Sequence, residues 1–232
     1  MKAMILAAGV GSRLGELTQN TPKCLMQVGQ KTILEHVIEQ LKRAEVSAIA
    51  INVHHHAEKV VDFLESHKNF GLTIEISREA QLLDTGGGLK KVAPFFEDEN
   101  AFIVHNADVF STIDLAALVE LHRSRSAIGT LAVLRRPSSR GLYLSPDNHL
   151  VGWTSEKVSA PTPSELFGFC GISVASHRLF AFMRSEPPFS IIESYLSAAR
   201  ETSLVWGHPC PGAHWIDIGT PEQLAVAQRR SS

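Results

Sequence analysis

The sequence Leu6-Ala7-Ala8-Gly9-Val10-Gly11-Ser12-Arg13-Leu14 continues an apolar run that begins at Lys2. The run predicts a buried strand, and the two glycines allow the backbone of the following loop to approach a ligand closely. Successive N–H groups in such a loop point toward one place and can bind an anion. Arg13, and Lys23 after Thr21-Pro22, add positive charge there. The stretch predicts a phosphate-binding loop, with an ordinary turn between strand and helix as the alternative.

The loop differs from two familiar phosphate-binding motifs. It lacks the Gly-Lys-Ser/Thr of the Walker A motif, and Leu14 stands where a dinucleotide-binding fingerprint carries its third glycine. A dinucleotide-dependent oxidoreductase is therefore only a distant alternative.

Composition excludes several classes of protein. Of the 232 residues, 44% are hydrophobic and 20% are charged, which is typical of a globular domain and not of a disordered chain. The 22 Lys and Arg residues against 24 Asp and Glu residues leave a net charge of −2, so no nucleic-acid or membrane partner is expected. No apolar stretch approaches the roughly 18 residues that a membrane-spanning helix needs.

The three cysteines, Cys24, Cys170 and Cys210, are an odd number and form no Cys-x-x-Cys pair. This pattern favours a reducing compartment over a disulfide framework or a structural zinc site. The apolar run at the amino terminus is too short for a signal peptide. We therefore expect a cytoplasmic protein.

Apolar runs and amphipathic segments alternate along the first half of the chain. Predicted strands cover residues 2–7, 48–53, 72–76 and 101–104, and predicted helices cover 58–64, 115–122 and the segment behind the capping box Thr32-Ile33-Leu34-Glu35. This rhythm predicts a parallel sheet with right-handed crossovers and helices on both faces. The second half predicts short strands at 129–134, 141–144, 150–153 and 169–174, and helices that begin at Ser190 and Thr220. We expect an α/β fold in one domain over residues 1–232: a Rossmann-like, mostly parallel but mixed sheet with a small additional β-element.

Two acidic residues are candidates for a cation site. Asp108 closes Asn106-Ala107-Asp108 directly after an apolar strand, and ligands of open α/β sheets lie beyond the carboxyl ends of the strands. A carboxylate there can hold a hard cation that also contacts phosphate oxygens, whereas a helix cap or turn residue is the alternative. Asp217 lies between Ile216 and Ile218, where a lone carboxylate is costly unless it is paired or binds a metal. A hydrogen bond to the following turn is the alternative for Asp217.

A second glycine-rich segment reads Asp84-Thr85-Gly86-Gly87-Gly88. Its bare backbone either faces a flat or phosphorylated ligand or forms a flexible turn. Glu79 lies close enough in sequence to present a carboxylate to the same pocket. His54-His55-His56 is not expected to bind a metal, because adjacent residues of a strand point to opposite faces. Arg135-Arg136 is interpreted as a solvated charge pair.

Taken together, these motifs resemble the sugar-1-phosphate nucleotidyltransferase family over essentially the whole chain. The family's opening Leu-Ala-Ala-Gly-x-Gly-x-Arg-Leu stands at 6–14 and its Thr-Pro-Lys at 21–23. The similarity continues at 84–88, 106–108, Phe169-Cys170-Gly171-Ile172 and Trp215-Ile216-Asp217-Ile218-Gly219-Thr220-Pro221. The chain is most similar to compact members, among them N-acetylmuramate-1-phosphate uridylyltransferases and enzymes labelled mannose-1-phosphate guanylyltransferases.

The resemblance implies a nucleotide-diphospho-sugar transferase fold, with residues 1–125 mainly binding the nucleotide and 126–232 mainly binding the acceptor. It implies nucleotide contacts at Leu6, Ala7, Ala8, Gly9, Gly11, Ser12, Arg13, Lys23, Glu79, Thr85, Gly86, Gly87 and Asn106. Arg13, Lys23 and Asp108 would be catalytic. Asp108 and Asp217 would hold Mg²⁺, and Glu156, Lys157 and Gly171 would contact the acceptor. Many relatives carry Gly where Ala107 stands, and a Glu-Lys-Pro segment where this chain reads Glu156-Lys157-Val158.

The implied reaction joins a nucleoside monophosphate from an NTP to a sugar-1-phosphate and releases pyrophosphate. NTP and sugar-1-phosphate would be the partners of a monomer or homodimer, in NDP-sugar biosynthesis for the cell envelope. One alternative is a cytidylyltransferase that uses phosphocholine or another non-sugar phosphate. Another is a catalytically silent, nucleotide-binding regulatory protein. The presence of Arg13, Lys23, Asp108 and Asp217 together favours an enzyme, because a binding module needs no second metal carboxylate.

Overall fold

The computed structural model describes residues 1–138, 140–156 and 160–230. The strands are β1 (Lys2–Leu6), β2 (Gln27–Val28), β3 (Lys31–Thr32), β4 (Ala48–Val53), β5 (Thr73–Arg78), β6 (Phe102–Asn106), β7 (Val109–Ser111), β8 (Gly129–Leu134), β9 (Gly141–Leu144), β10 (Leu150–Trp153), β11 (Glu165–Ala175), β12 (Val205–Pro209) and β13 (Trp215–Asp217). The helices are α1 (Ile33–Arg43), α2 (Ala57–Ser66), α3 (Asp84–Lys91), α4 (Leu115–Ser124), α5 (Ile191–Thr202) and α6 (Pro221–Arg230). In this part of the chain, each helix is too short or too polar to cross a bilayer.

The central sheet has the strand order β10-β9-β11-β6-β1-β4-β5; in addition, β8 pairs with β11, and β12 pairs with β8. Strands β6, β1, β4 and β5 run parallel to one another, as the alternation of the first half predicts. Strand β11 joins β6, β8 and β9 in antiparallel pairs and links the second half of the chain to this parallel sheet. The α/β class and the mixed sheet are thus confirmed.

Helices cover both faces of the sheet because the central strands are apolar on both sides. In β1, Ala3 and Ile5 pack in one hydrophobic cluster with helix α1, whereas Met4 between them packs in the other cluster with α5. Successive residues of a strand point to opposite faces, so a strand buried on both faces is an unbroken apolar run.

Local capping explains where two helices begin. The Thr32 hydroxyl accepts the Glu35 N–H, and the Glu35 carboxylate accepts the Thr32 N–H, which together form the predicted capping box. Ser190 and Glu193 form the same reciprocal pair at the start of α5. Each box satisfies N–H groups that a helix leaves free at its amino end.

The 84–88 segment is helical, and the flexible-turn interpretation is wrong. Helix α3 begins at Asp84, and the N–H groups of Gly86 and Gly87 both approach the carbonyl of Phe189, at 2.9 and 3.4 Å. A Cβ at position 86 would lie 2.4 Å from the ring of Phe189, and one at 87 would lie 2.8 Å from Pro187. The glycines therefore allow the 187–189 segment to pack directly against the first turn of α3.

A two-stranded ribbon beside the main sheet joins distant parts of the chain. Strand β13 pairs antiparallel with β7, so that Asp217 lies opposite Val109. The pairing continues where the Ile218 N–H donates to the Asp108 carbonyl at 3.0 Å. The ribbon therefore holds the backbone at Asp217 beside the backbone at Asp108.

Candidate active site

The loop after β1 turns sharply at Gly11, which has a φ of +66°. A Cβ at this position would also lie 2.9 Å from a methyl group of Thr18, so glycine suits both the conformation and the space. The Thr18 hydroxyl donates to the Gly15 carbonyl at 3.1 Å and holds the loop against the following turn. The side chain of Arg13 is exposed at this turn, where a Cβ at position 219 would lie 2.7 Å from its Nη2.

Lys23 lies between two carboxylates. Its Nζ forms an ion pair with Asp108 and lies 3.7 Å from Oδ1 of Asp217. The Lys23 side chain is only 11% exposed, whereas the two carboxylates are 29% and 33% exposed and so remain accessible from one side. The structure thus brings Asp108 and Asp217 to the same ammonium group, although they are 109 positions apart in the sequence.

The two carboxylates suit a hard divalent cation. Oδ1 of Asp217 is buried and has no hydrogen-bond partner among the described residues. Across those same residues, no group of three or more His, Cys, Asp or Glu side chains is arranged to hold a metal ion. Mg²⁺ is commonly bound by one or two carboxylates together with substrate phosphates and water. Asp108 and Asp217 match that requirement.

A cavity of about 430 Å³ opens between the 8–10 loop and the start of α3, next to Asp108. Val10 on one side and Leu82 on the other are large apolar side chains that are 40% and 44% exposed. Asp84 and Thr85 also line this cavity. An apolar slot with polar groups at its edge suits a flat ring that carries hydrogen-bonding groups.

The inner wall of this cavity carries a polar pair, Asn52 and Glu79. Asn52 accepts the Ala7 N–H at 2.8 Å and donates to Glu79 at 2.7 Å. The second oxygen of Glu79 accepts the Leu83 N–H at 3.1 Å. Sequence analysis did not select Asn52, although an Asn in the otherwise apolar strand 48–53 is a usable signal.

The first glycines of α3 lie behind the cavity wall. Their N–H groups approach Phe189, and their missing side chains face Phe189 and Pro187. This arrangement differs from the sequence interpretation, in which Gly86 and Gly87 face the nucleotide. Thr85 lines the cavity, and its hydroxyl accepts the Ile191 N–H at 2.9 Å.

A second, more polar cavity of about 670 Å³ lies on the other side of the carboxylates. Asp217, Asn106 and Gly171 line it, together with Arg13 and Arg136. Gly171 has a φ of +69°, and a Cβ there would lie 2.6 Å from Nδ2 of Asn106. Glycine at this position therefore allows Asn106 to approach the backbone of β11.

Arg136 is held firmly in this second cavity. Its guanidinium lies 4.0 Å from the centre of the Trp215 ring, and its Nη2 donates to the Phe169 carbonyl at 2.7 Å. Burial lowers the pKa of Arg136 from its ordinary value, while the nearby Asp217 opposes this change. Trp215 and Asp217 are alternate residues of β13 and share one face of the ribbon, which places the guanidinium beside the Asp217 carboxylate.

The interpretation of Arg135-Arg136 as a solvated pair is right for Arg135 and wrong for Arg136. Arg135 is exposed and pairs with Glu165 at the surface. Of the predicted acceptor contacts, Glu156 pairs with Arg200 of α5, and Lys157 lies outside the described residues.

Two buried side chains near Asp108 carry no charge at neutral pH. Burial lowers the pKa of His105 to about 4 and raises the pKa of Cys24 to about 12. His105 is therefore a neutral imidazole and Cys24 a thiol.

Two curated proteins are similar to this chain in sequence. A UTP–glucose-1-phosphate uridylyltransferase of Synechocystis is 29% identical over 94% of this chain and 60% of its own. A mannose-1-phosphate guanyltransferase of Gibberella zeae is 35% identical over 97% of this chain and 62% of its own. The chain thus spans about 60% of the length of these curated relatives.

Solved structures share the fold. HddC from Yersinia pseudotuberculosis, in complex with GMP-PN, superimposes with a TM-score of 0.79 at 20% identity, covering 100% of this chain and 99% of that one. A UDP-glucose pyrophosphorylase from Acinetobacter has a TM-score of 0.78 at 18% identity, covering 99% of this chain and 92% of that one. The model of the nucleotidyl transferase family matches residues 2–231, and the chain therefore belongs to that family.

Proposed function

We propose that this protein transfers a nucleoside monophosphate from an NTP to a sugar-1-phosphate, which yields an NDP-sugar and pyrophosphate. The observation that carries the proposal is the meeting of Lys23, Asp108 and Asp217 between an apolar slot and a larger polar cavity. The printed names of the curated relatives, a uridylyltransferase and a guanyltransferase acting on sugar-1-phosphates, support the same reaction.

We assign one substrate to each of the two cavities. The apolar slot is lined almost entirely by residues before 125, and we assign it the NTP. Most residues of the polar cavity come after 126, and we assign it the sugar-1-phosphate. The carboxylates between them are then next to the reacting phosphates of both substrates.

The reaction requires alignment and charge neutralisation rather than a general base. An oxygen of the acceptor phosphate is already anionic, so it attacks the α-phosphorus directly while the bond from that phosphorus to the pyrophosphate oxygen breaks. Two polyanions must be held in line, and the negative charge that grows on the leaving pyrophosphate must be offset. We assign this role to Lys23, beside the carboxylates, and to Arg13, although the Arg13 side chain lines the polar cavity and not the slot.

Asp108 and Asp217 are the residues that would hold Mg²⁺. Oδ1 of Asp217 supports this assignment, because it is buried, lacks a hydrogen-bond partner among the described residues and has the Lys23 ammonium only at 3.7 Å. When bound, Mg²⁺ supplies positive charge that polarises phosphoryl oxygens.

We assign the phosphate of the acceptor to Arg136. Its guanidinium is fixed by Trp215 and the Phe169 carbonyl, so little side-chain entropy is lost when an anion binds. Arginine also matches the geometry of a phosphate group through paired N–H donors. Gly171 lines the same cavity and remains a proposed acceptor contact.

The test is a screen for pyrophosphate release that depends on Mg²⁺. Each of the four common NTPs is combined with a panel of sugar-1-phosphates and with phosphocholine, and the Asp108→Asn variant serves as the blank. Release with a sugar-1-phosphate is the expected result. Release with phosphocholine alone would favour the cytidylyltransferase alternative. NTP binding without release for any pair would favour a regulatory protein.

A further inference from the structure

We propose that Asn52 and Glu79 are positioning residues for the NTP. On this view they hold the phosphate loop and helix α3 at the separation that the nucleotide requires. The inference rests on the proposed function, because it concerns the slot assigned to the NTP.

The pair forms an unbroken chain of hydrogen bonds across the inner wall of the slot. The Ala7 N–H donates to Oδ1 of Asn52, and Nδ2 of Asn52 donates to Oε1 of Glu79. The Leu83 N–H then donates to Oε2 of Glu79. Ala7 opens the phosphate loop and Leu83 immediately precedes α3, so two side chains connect the two walls of the slot.

Because both side chains are buried, the pair depends on these hydrogen bonds. Asn52 is 3% exposed and Glu79 is 5% exposed. Throughout the described part of the chain, no Lys, Arg or His side chain forms an ion pair with Glu79. A buried carboxylate without a counter-charge is costly unless its oxygens accept hydrogen bonds. Here each oxygen has a donor, and the loss of either donor would leave a buried charge less well satisfied.

The third glycine of the 84–88 segment belongs to this arrangement. A Cβ at Gly88 would lie 2.6 Å from Nδ2 of Asn52 and 2.8 Å from Oε1 of Glu79. Helix α3, which carries Thr85, therefore packs directly against the pair at Gly88.

The polarity of the chain of hydrogen bonds provides a sharp test. A backbone N–H donates at each end of this series of hydrogen bonds. Each of the two side chains must therefore accept one of these bonds, and one of the two must donate to the other. Asn52 with Glu79 meets this rule, and so does the exchanged pair of the Asn52→Asp/Glu79→Gln double variant. Neither single variant meets it. Asn52→Asp sets two carboxylates against each other, and Glu79→Gln turns an amide donor toward either Leu83 or Asn52.

The experiment measures kcat, the KM for NTP, the KM for acceptor and the melting temperature of both single variants and the double variant. We expect each single variant to raise the KM for NTP about 10-fold, since the penalty for an unsatisfied buried group corresponds to roughly 5- to 150-fold in an equilibrium. The KM for acceptor should stay near the wild-type value. The double variant should restore most of the NTP affinity. Glu75→Gln, on the exposed side of β5, is the matched control.

Two results would overturn the inference. If the double variant binds NTP as poorly as Glu79→Gln, the carboxylate itself contacts the nucleotide and does not act through Asn52. If the single variants lower the melting temperature but leave the KM for NTP unchanged, the pair is only structural. Failure of the proposed function looks different, because the wild-type protein then shows no turnover with any substrate pair. In that case calorimetric titration of the same variants with the four NTPs still tests the pair.

Discussion

Nζ of Lys23 lies 3.7 Å from Oδ1 of Asp217, although the two residues are 194 positions apart in the sequence. The same ammonium pairs with Asp108, so one cation reduces the repulsion between two carboxylates and leaves one negative charge unbalanced. A divalent cation and the phosphates of an NTP offer these groups new partners of the opposite charge. Under the proposed function, we expect Lys23 to exchange its carboxylate partners for phosphate when NTP and the cation bind.

Replacing Lys23 should test two roles of this residue, one in turnover and one in stabilising the two neighbouring carboxylates. We expect Lys23→Met to lower kcat roughly 100-fold or more, because a fixed positive charge near the leaving group is lost. Without divalent cations the melting temperature should fall, since two neighbouring carboxylates become unpaired. Added Mg²⁺ should recover part of that loss.

The matched control for Lys23 is Lys31→Met, which breaks an ion pair with Glu39 between side chains that are 44% and 36% exposed. Exposed pairs contribute little to stability, so this variant should behave as wild type. A near-native kcat for Lys23→Met would remove this lysine from the proposed mechanism.

The two carboxylates should control the dependence on Mg²⁺. Asp108→Asn and Asp217→Asn each delete one anionic ligand while keeping the size and shape of the side chain. We expect both to lower kcat and to raise the Mg²⁺ concentration needed for half-maximal rate. NTP affinity measured without metal should be retained or increased, since a negative charge near the triphosphate is gone.

For this pair of variants, Asp98→Asn is the control, because that carboxylate is 72% exposed and pairs only with Lys2 among the described side chains. If Asp217 is merely a turn residue, Asp217→Asn will melt at a lower temperature and keep the wild-type response to Mg²⁺.

Substitutions at the adjacent residues Arg135 and Arg136 should show whether acceptor binding depends on one arginine or on overall surface charge. Arg136→Gln should raise the KM for the sugar-1-phosphate about 10-fold or more, because a charge-assisted contact to phosphate is lost, and should leave the KM for NTP unchanged. Arg135→Gln makes the same change in charge one residue earlier, at an exposed surface pair, and should leave both constants unchanged. Equal effects of the two substitutions would assign the role to overall charge.

Stability should fall as the pH is lowered from neutral toward 4. Burial lowers the pKa of His105 and of His122 to about 4, against 6.5 in the unfolded chain. Between these values the unfolded chain binds protons that the folded chain excludes, so acid favours unfolding. At pH 4 each histidine reduces the free energy of unfolding by about 3 kcal/mol.

Urea unfolding at several pH values measures this dependence on pH. His122→Leu should flatten the curve between pH 6.5 and 4, because one of the two buried groups no longer titrates. His67→Leu, at an exposed position, should not change the curve's slope. A slope that is the same in His122→Leu and wild type would contradict the burial argument.

Features encoded by neighbouring residues were predictable from the sequence. The strand at 48–53 and the capping boxes that open α1 and α5 match the structure because each depends on residues a few positions apart. The alternation of apolar runs also established the α/β class, since it fixes which segments can be buried on both faces.

Features that depend on distant partners were not predictable in the same way. Arg135 and Arg136 are adjacent and chemically identical, and only the position of Trp215 places one of them in a cavity. The glycines at 86–88 suggested a loop, but contact with Phe189 makes a helix acceptable there. Asn52 is important through its hydrogen bond to Glu79, which comes directly after the neighbouring strand β5.

The β7–β13 ribbon also makes the proposed cation site depend on one long-range pairing. The phosphate loop, Lys23 and Asp108 all lie at or before position 108, whereas Asp217 is 109 positions further along the chain. Only the pairing of β13 with β7 brings the second carboxylate to the first. A substitution that disrupts the ribbon should therefore impair the response to Mg²⁺ even when it touches neither carboxylate.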